Sequence, residues 1–146
     1  MKLSAKSRYA VRLMLDLAMH LGRGPQRTAS LSEHTGVTVR FIEQILKPLK
    51  KAGLVDSVRG AAGGYILAGQ PGDVTLADIL RVVEGDLGLT NCCLDAEICH
   101  RAPVCKARRA WDRVSRALEA ELAGITLADL MEGLPPGARH GCEDKA

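Results

Sequence analysis

The stretch 38–68 constrains the fold more than any other part of the chain. Between Thr38 and Ala52, Phe41, Ile42, Ile45, Leu46 and Leu49 recur at helical spacing, with Arg40, Glu43, Gln44 and Lys47 on the opposite face. Gly53 stands where a left-handed C-cap ends such a helix. Two short alternating runs follow, Leu54–Val58 and Tyr65–Ala68, separated by Arg59, Gly60, Ala61, Ala62, Gly63 and Gly64. Helix, strand, glycine-rich turn and strand in that order predict a recognition helix followed by a β wing. A phosphate-cradling glycine loop is excluded, because no Lys-Ser/Thr pair follows the glycines and no βαβ pattern surrounds them. Pro48 lies inside the helix and is expected to break or kink its last turn.

The preceding residues complete the motif. Val11, Met14, Leu15, Ala18 and Met19 predict an amphipathic helix from Ser7 to Leu21, ended near Gly22 and followed by a loop over residues 22–26. Ser30 and Glu33 have capping-box spacing and are expected to open a short helix that Gly36 stops. Two helices joined by a tight glycine turn predict a helix-turn-helix.

Beyond the wing, Thr75 and Asp78 suggest a capped helix through Val83, followed by an irregular stretch over 85–103. A long helix is expected from Cys105 to Ala123, ending at Gly124. Its Trp111, Val114, Leu118, Leu122 and Ile125 have near-heptad spacing, which suits packing against a second copy; packing onto the chain's own core is the alternative. Thr126–Asp129 repeats the Thr-Leu-Ala-Asp string of Thr75–Asp78 and starts one more short helix, the echo being too short for an internal repeat. From Leu134 onward periodicity is absent, and a disordered tail holding Cys142 is expected. The expected fold is mainly α with a small β wing: a winged helix-turn-helix over 1–84, a cysteine-rich loop over 85–105, a dimerisation helix and short terminal helix over 106–133, and a tail over 134–146.

Charge divides along the same line. Residues 1–60 carry 11 Lys+Arg against 4 Asp+Glu, a net +7; the remainder carries 9 against 13, a net −4. A basic N-terminal half suits a polyanionic partner such as double-stranded DNA, against the bland alternative of a solvated basic surface. With 47% apolar residues the chain can build a core. The longest apolar run, 11–21, is interrupted by Arg12, Asp16 and His20, well short of the roughly 18 residues of a membrane span. Lys2, Lys6 and Arg8 mimic a signal peptide's basic region, but Asp16 and the lack of a small-residue cleavage site point to a cytoplasmic protein without a membrane partner. His20, His34, His100 and His140 fall in no Cys-His or Ser-His-Asp pattern, so no enzyme is expected, and His34 reads as a surface residue.

Four of the five cysteines, Cys92, Cys93, Cys99 and Cys105, fall in one short segment. Five residues separate Cys93 from Cys99 and Cys99 from Cys105, wider than the two to four of usual zinc pairs. Soft thiolates along a glycine-flanked loop suit an iron–sulfur cluster. Cluster-free thiol sensing and zinc remain alternatives.

These residues together resemble the Rrf2 family of bacterial transcription regulators, over nearly the whole chain to about Gly133. The resemblance rests on the opening Met1–Ser4 with Tyr9–Arg12, on Glu43–Leu46, on Ala52–Val55, on the wing Arg59, Gly60, Gly63, Gly64, Tyr65 and Leu67, and on the triplet Cys93, Cys99 and Cys105. It implies a homodimeric winged-helix protein that binds a pseudo-palindromic promoter and holds an iron–sulfur cluster, [2Fe–2S] or [4Fe–4S], on the triplet. Arg40, Glu43 and Gln44 can then address guanine, cytosine and adenine in a major groove. Arg59 would enter a minor groove, and Lys2, Lys47, Lys50 and Lys51 would meet phosphates. The chain departs from the family at the cluster's fourth ligand. IscR-like members place a His three residues after the last Cys, here Arg108; NsrR-like members use an Asp of the first helix, here Arg8. A guanidinium is no ordinary ligand. Cys92, His100, Asp95, Glu97, a partner-subunit residue or an external thiol are the substitutes. A small iron–sulfur electron carrier is the remaining rival, although it would need neither wing nor basic half.

Overall fold

Ser4 opens the first helix. Its hydroxyl accepts a hydrogen bond from the Ser7 amide at 3.1 Å, and α1 runs Ala5–Met19 in this computed structural model, which describes residues 2–133. The helix starts and ends two residues earlier than periodicity alone predicts. Ala10, Leu13, Met14, Leu17 and Ala18 are its buried stripe, whereas Met19 is exposed.

α2 (Thr28–Thr35) corrects the capping box expected at Ser30. Gln26 exchanges both backbone hydrogen bonds with Tyr65 at 2.8 Å, the chain turns at Arg27, and the helix begins at Thr28. Ser30 is therefore already inside the first turn. The bridge outranks the local motif because it pairs both backbone groups of Gln26 and fixes where the chain enters the helix. Gly36, with φ +70°, ends α2 by donating to the Ser32 carbonyl at 2.9 Å.

α3 (Val39–Lys51) follows after a three-residue turn in which Val37 is buried. Pro48 does not break it as expected. The Pro48 carbonyl accepts from the Ala52 amide at 3.0 Å, so the last turn closes. The bond that proline removes would have ended on the carbonyl of Gln44, an exposed residue where water can substitute. Gly53 (φ +78°) then turns the chain into β1 (Val55–Val58), antiparallel to β2 (Gly64–Leu67), with Val55 opposite Leu67 and Val58 opposite Gly64.

The wing tip needs its glycines for two different reasons. Gly60 has φ +114°. Gly63 and Gly64 are needed for space: a Cβ there would lie 2.2 Å from the Val58 carbonyl oxygen and 2.4 Å from that of Gln26, respectively.

α4 (Leu76–Glu84) and α7 (Leu127–Glu132) both carry true capping boxes, Thr75 with Asp78 and Thr126 with Asp129. The two like strings also meet. Thr75 and Thr126 form an antiparallel bridge, with the Leu76 amide donating to Ile125 and the Leu127 amide to Val74, each at 2.9 Å. One core joins Leu13, Met14, Leu31, Ile42, Ile45, Leu46, Leu49 and Val55 with Ile79 and with Leu127 from the far end of the chain. By the area rule, each such fully buried aliphatic side chain stabilises the fold by about 1.5–3 kcal/mol relative to exposure.

The stretch 85–103 is more ordered than expected. It contains α5 (Asn91–Leu94) and a 3-10 turn over Ala96–Ile98. The long helix α6 (Lys106–Ala123) then begins, capped by Cys105. The tail expected over 134–146, with Cys142, lies outside the described residues. Among the described residues no helix is long and apolar enough to cross a membrane.

Candidate nucleic-acid interface and thiol site

Helix α3 divides its residues cleanly. Ile42, Ile45, Leu46 and Leu49 are fully buried, and Arg40, Glu43, Gln44 and Lys47 are all exposed along the other side. Phe41 is only half-buried; its ring meets Tyr9 edge-on, with centroids 5.7 Å apart, and ties α3 to α1. Glu43, Lys47, Lys50, Lys51 and Tyr65 line a groove between α3 and the wing. Lys50, expected to meet phosphate, here donates to the Ser57 hydroxyl and fastens α3 to β1.

Arg59 is exposed where β1 leaves the sheet. Arg27, which the sequence reading missed, donates to the Ala61 carbonyl and pins the wing tip to the start of α2. The orientation of the wing relative to the helix-turn-helix is thus set twice, by Arg27 and by the Gln26–Tyr65 bridge. No pattern in 26–27 signals this, because the partners are 34 and 39 residues away in sequence.

Cys92, Cys93, Cys99 and Cys105 are all half-buried and free. Cys92 and Cys93 sit on α5, Cys99 follows the 3-10 turn, and Cys105 caps α6 through its sulfur, 3.4 Å from the Arg108 amide. The Thr90 hydroxyl lies 3.3 Å from Cys92 Sγ and donates to Cys93 Sγ at 3.1 Å. Arg108, three residues after Cys105, is a brace. Its Nε donates to the Cys92 carbonyl at 2.7 Å, and its own carbonyl lies 4.0 Å from Cys93 Sγ. Among the described residues, the triplet sulfurs do not converge on one point as a single ion requires, whose tetrahedral thiolates lie about 3.8 Å apart. A multi-iron cluster spreads its ligands over several irons and has no such requirement.

The entry to the segment borders a pocket. Between α4 and α6, Leu80, Leu87, Leu89, Leu118 and Leu122 line a cavity of about 310 Å³. The heptad-like seam is therefore split: Leu118, Leu122 and Ile125 are partly covered by the chain's own fold, whereas Trp111 and Val114 are each 48% exposed. Arg81 of α4 pairs with Glu119 of α6 across the same junction. In the same last turn of α4, Glu84 accepts from the Ser4 amide at 3.1 Å and from the buried Ser7 hydroxyl. The hydrogen bonds from Ser4 and Ser7 hold its carboxyl below the ordinary range. The start of α1 and the entry to the cysteine segment are thereby joined.

One cluster of polar side chains includes an approach, that of His34, that the linear spacing does not show. His20 and His34 converge on Asp16, with His34 Nδ1 3.2 Å from the carboxylate.

Residues 3–133 match the family model of Rrf2, described as an iron-dependent transcriptional regulator. The chain is 33% identical over 142 residues to protein rrf2 of Nitratidesulfovibrio vulgaris, covering 97% of this chain and 95% of that one. Its fold is similar to that of CymR, the global cysteine regulator of Bacillus subtilis, with a TM-score of 0.76 and 36% identity over 90% of this chain and 97% of that one. It is also similar to IscR of T. potens, with a TM-score of 0.75 and 38% identity over 97% and 94% of the two chains.

Proposed function

The chain belongs to the Rrf2 family of transcriptional regulators, and from that premise we propose that it works as a homodimer on promoter DNA, sensing iron, redox state or nitric oxide through an iron–sulfur cluster on Cys93, Cys99 and Cys105. It is a DNA-binding regulator and not an enzyme. A protein that acts on bacterial promoters works in the cytoplasm.

The DNA-reading part rests on the polar face of α3. Arg40 can donate to guanine, Glu43 can accept from the cytosine amino group, and Gln44 can pair with adenine. Arg59 and the wing address the minor groove, where a guanidinium suits the negative potential. Lys2, Lys47 and Lys51 fix register on phosphates without carrying sequence information. Two copies, joined through the exposed Trp111 and Val114 of α6, would place their recognition helices on half-sites about 34–36 Å apart or a multiple of that spacing.

The observation that carries the sensing reading is the half-buried triplet of free thiols, with Cys93 on α5 and Cys105 at the cap of α6. The donor set fits: three soft thiolates along a segment of short turns suit either [2Fe–2S] or [4Fe–4S]. When bound, the cluster supplies electron-transfer chemistry and sensitivity to oxidants. Arg108 holds the Cys92 carbonyl through Nε and donates its backbone amide to Cys105 Sγ but offers no lone pair, so the fourth donor is another residue, such as Cys92 or His100, or an external thiol. Rearrangement of α5 against α6 shifts the population between two dimer geometries.

A second reading has its own support. Arg108 stands where a ligand is usual, and the similarity to a cysteine regulator favours cluster-free thiol sensing by the same fold. Anaerobic purification followed by visible absorbance and iron and sulfide counts separates the two. Operator duplexes are first selected from random DNA with the same preparation. Stoichiometric iron and sulfide, with operator affinity that changes when oxygen removes them, is the expected result. A colourless protein whose affinity follows thiol oxidation moves the function to the second reading. Colour without any operator selection makes the chain an electron carrier.

A further inference from the structure

We propose that Asp16, His20 and His34 form a binding site for one divalent transition-metal ion of the zinc class, separate from the cysteine segment. The three side chains come from the ends of two helices. Asp16 and His20 stand one turn apart at the end of α1, and His34 lies in the last turn of α2. One ligand atom from each lies within 4.8 Å of the others. The Asp16 Oδ2 atom is 3.2 Å from His34 Nδ1 and 3.5 Å from His20 Nδ1. A tetrahedral zinc site with metal–ligand distances of about 2.0–2.1 Å has ligand–ligand edges of about 3.3 Å, so the two distances bracket what the ion requires.

The electrostatics lead to the same ion class. The imidazole rings are parallel to within 6°, with centroids 5.0 Å apart, and both face one carboxylate. Two imidazolium ions so close would repel, and a single carboxylate can compensate only one of them. A dication instead draws two neutral imidazoles and one carboxylate together, and nitrogen with carboxylate oxygen is a donor set that zinc accepts. Three protein ligands leave a fourth position for water or an external donor.

The surroundings provide a support and an entrance. Asp16 is 14% exposed and His20 23%, whereas His34 is 39% exposed and leaves one side open to solvent. Arg12 Nη1 donates to the Thr35 carbonyl at 2.9 Å and holds the end of α2 beside α1 without a metal. His20 Nδ1 also donates to the Asp16 carbonyl at 2.8 Å; coordination at that nitrogen replaces this hydrogen bond and moves the ring proton to Nε2. The ion would clamp α1 to α2 just before the Gly36 turn that launches α3. Occupancy would thus stiffen the helix-turn-helix from behind.

The test does not depend on DNA binding or on a cluster. The full-length protein is titrated with Zn²⁺ against a chromophoric chelator, and with Co²⁺ to read the ligand field. A chain with all five cysteines replaced by serine should still bind one equivalent, with Co²⁺ bands that lack thiolate charge transfer. His34→Ala and Asp16→Asn should each weaken that equivalent by at least about tenfold, since loss of even an outer-shell partner commonly costs 10–100-fold. Circular dichroism confirms that each variant is folded, and His34→Ala, at an exposed side chain, remains informative if Asp16→Asn is not. The proposal is overturned if the serine chain binds no equivalent, or if His34→Ala binds as tightly as its parent.

Discussion

The Arg108 Nε donates to the Cys92 carbonyl at 2.7 Å, so the residue that follows the last cysteine of the triplet by three holds α5 against the first turn of α6. Arg108→Ala frees that carbonyl while the Cys105 cap survives, because the cap uses only the backbone amide of residue 108. Hydrogen–deuterium exchange across residues 91–95 should quicken by about fivefold, the value of one net hydrogen bond near 1 kcal/mol. Arg108→Lys should not restore protection, because a point charge on a flexible stem does not reproduce the guanidinium's fixed Nε donor.

Arg59→Ala should weaken binding to the selected operator more than binding to unrelated duplex. A minor-groove arginine reads local shape as well as charge, so the expected loss on operator is roughly tenfold or greater, against a small loss on nonspecific DNA. Titrations at several salt concentrations check this. Equal losses on both DNAs would remove the minor-groove role and leave Arg59 as a phosphate contact.

Gly64→Ala should detach the wing. The added Cβ would sit 2.4 Å from the Gln26 carbonyl oxygen, so the Gln26–Tyr65 bridge must open. A destabilisation of about 1–3 kcal/mol is expected from such overpacking, measured by urea unfolding. Gly69→Ala, where a Cβ meets nothing within 4 Å, is the control and should change little.

Val114→Asp tests the dimer. The side chain is exposed in one chain, so the monomer should fold normally, while a charge at the centre of the proposed helix pair should prevent association. Sedimentation should give half the parent mass, and operator affinity should fall by at least tenfold as the second half-site is lost. A Val114→Asp protein that stays dimeric would move the interface elsewhere.

Stability should fall on acidification for identifiable reasons. Burial acts to raise the Asp78 pKa, but the Thr75 hydroxyl and amide, helped by Arg81, outweigh it and hold the group below its ordinary 3.8. The Thr126 amide and hydroxyl lower Asp129, and the Ser4 and Ser7 hydrogen bonds lower Glu84 from 4.5. A carboxyl with a depressed folded-state pKa stabilises above its unfolded value, and that contribution disappears as pH drops through the folded value. Urea midpoints should therefore be flat near neutrality and decline below about pH 5. Asp78→Asn combined with Asp129→Asn should flatten the decline.

Much of the DNA-reading unit was legible because its signals are local. The apolar stripe of α3, the left-handed caps at Gly36 and Gly53 and the wing glycines Gly60 and Gly63 each act through neighbours in sequence, and all are found where periodicity and turn chemistry put them. The failures are long-range. Ser30 and Glu33 satisfied the spacing of a capping box, yet a bridge from Gln26 to Tyr65 had already set the helix start. Pro48 looked like a breaker because its effect on the next turn depends on whether the orphaned carbonyl meets solvent. The i, i+4 relation of Asp16 and His20 was readable, but the approach of His34 required the packing angle of two helices. At the thiol site the triplet was plain in the linear spacing; the bracing role of Arg108 was not, since its carbonyl acceptor lies 16 residues away.

The Thr75–Thr126 bridge makes everything between those residues a closed handle. Both ends are riveted to the same point of the core, so the cysteine segment and α6 cannot slide along the chain or pull on the recognition helix in tension. α4, which leads into that handle, grips the start of α1 at Ser4 and Ser7. In a pair of such chains joined at their handles, a small swing of each becomes an opposed displacement of the two units at the far ends.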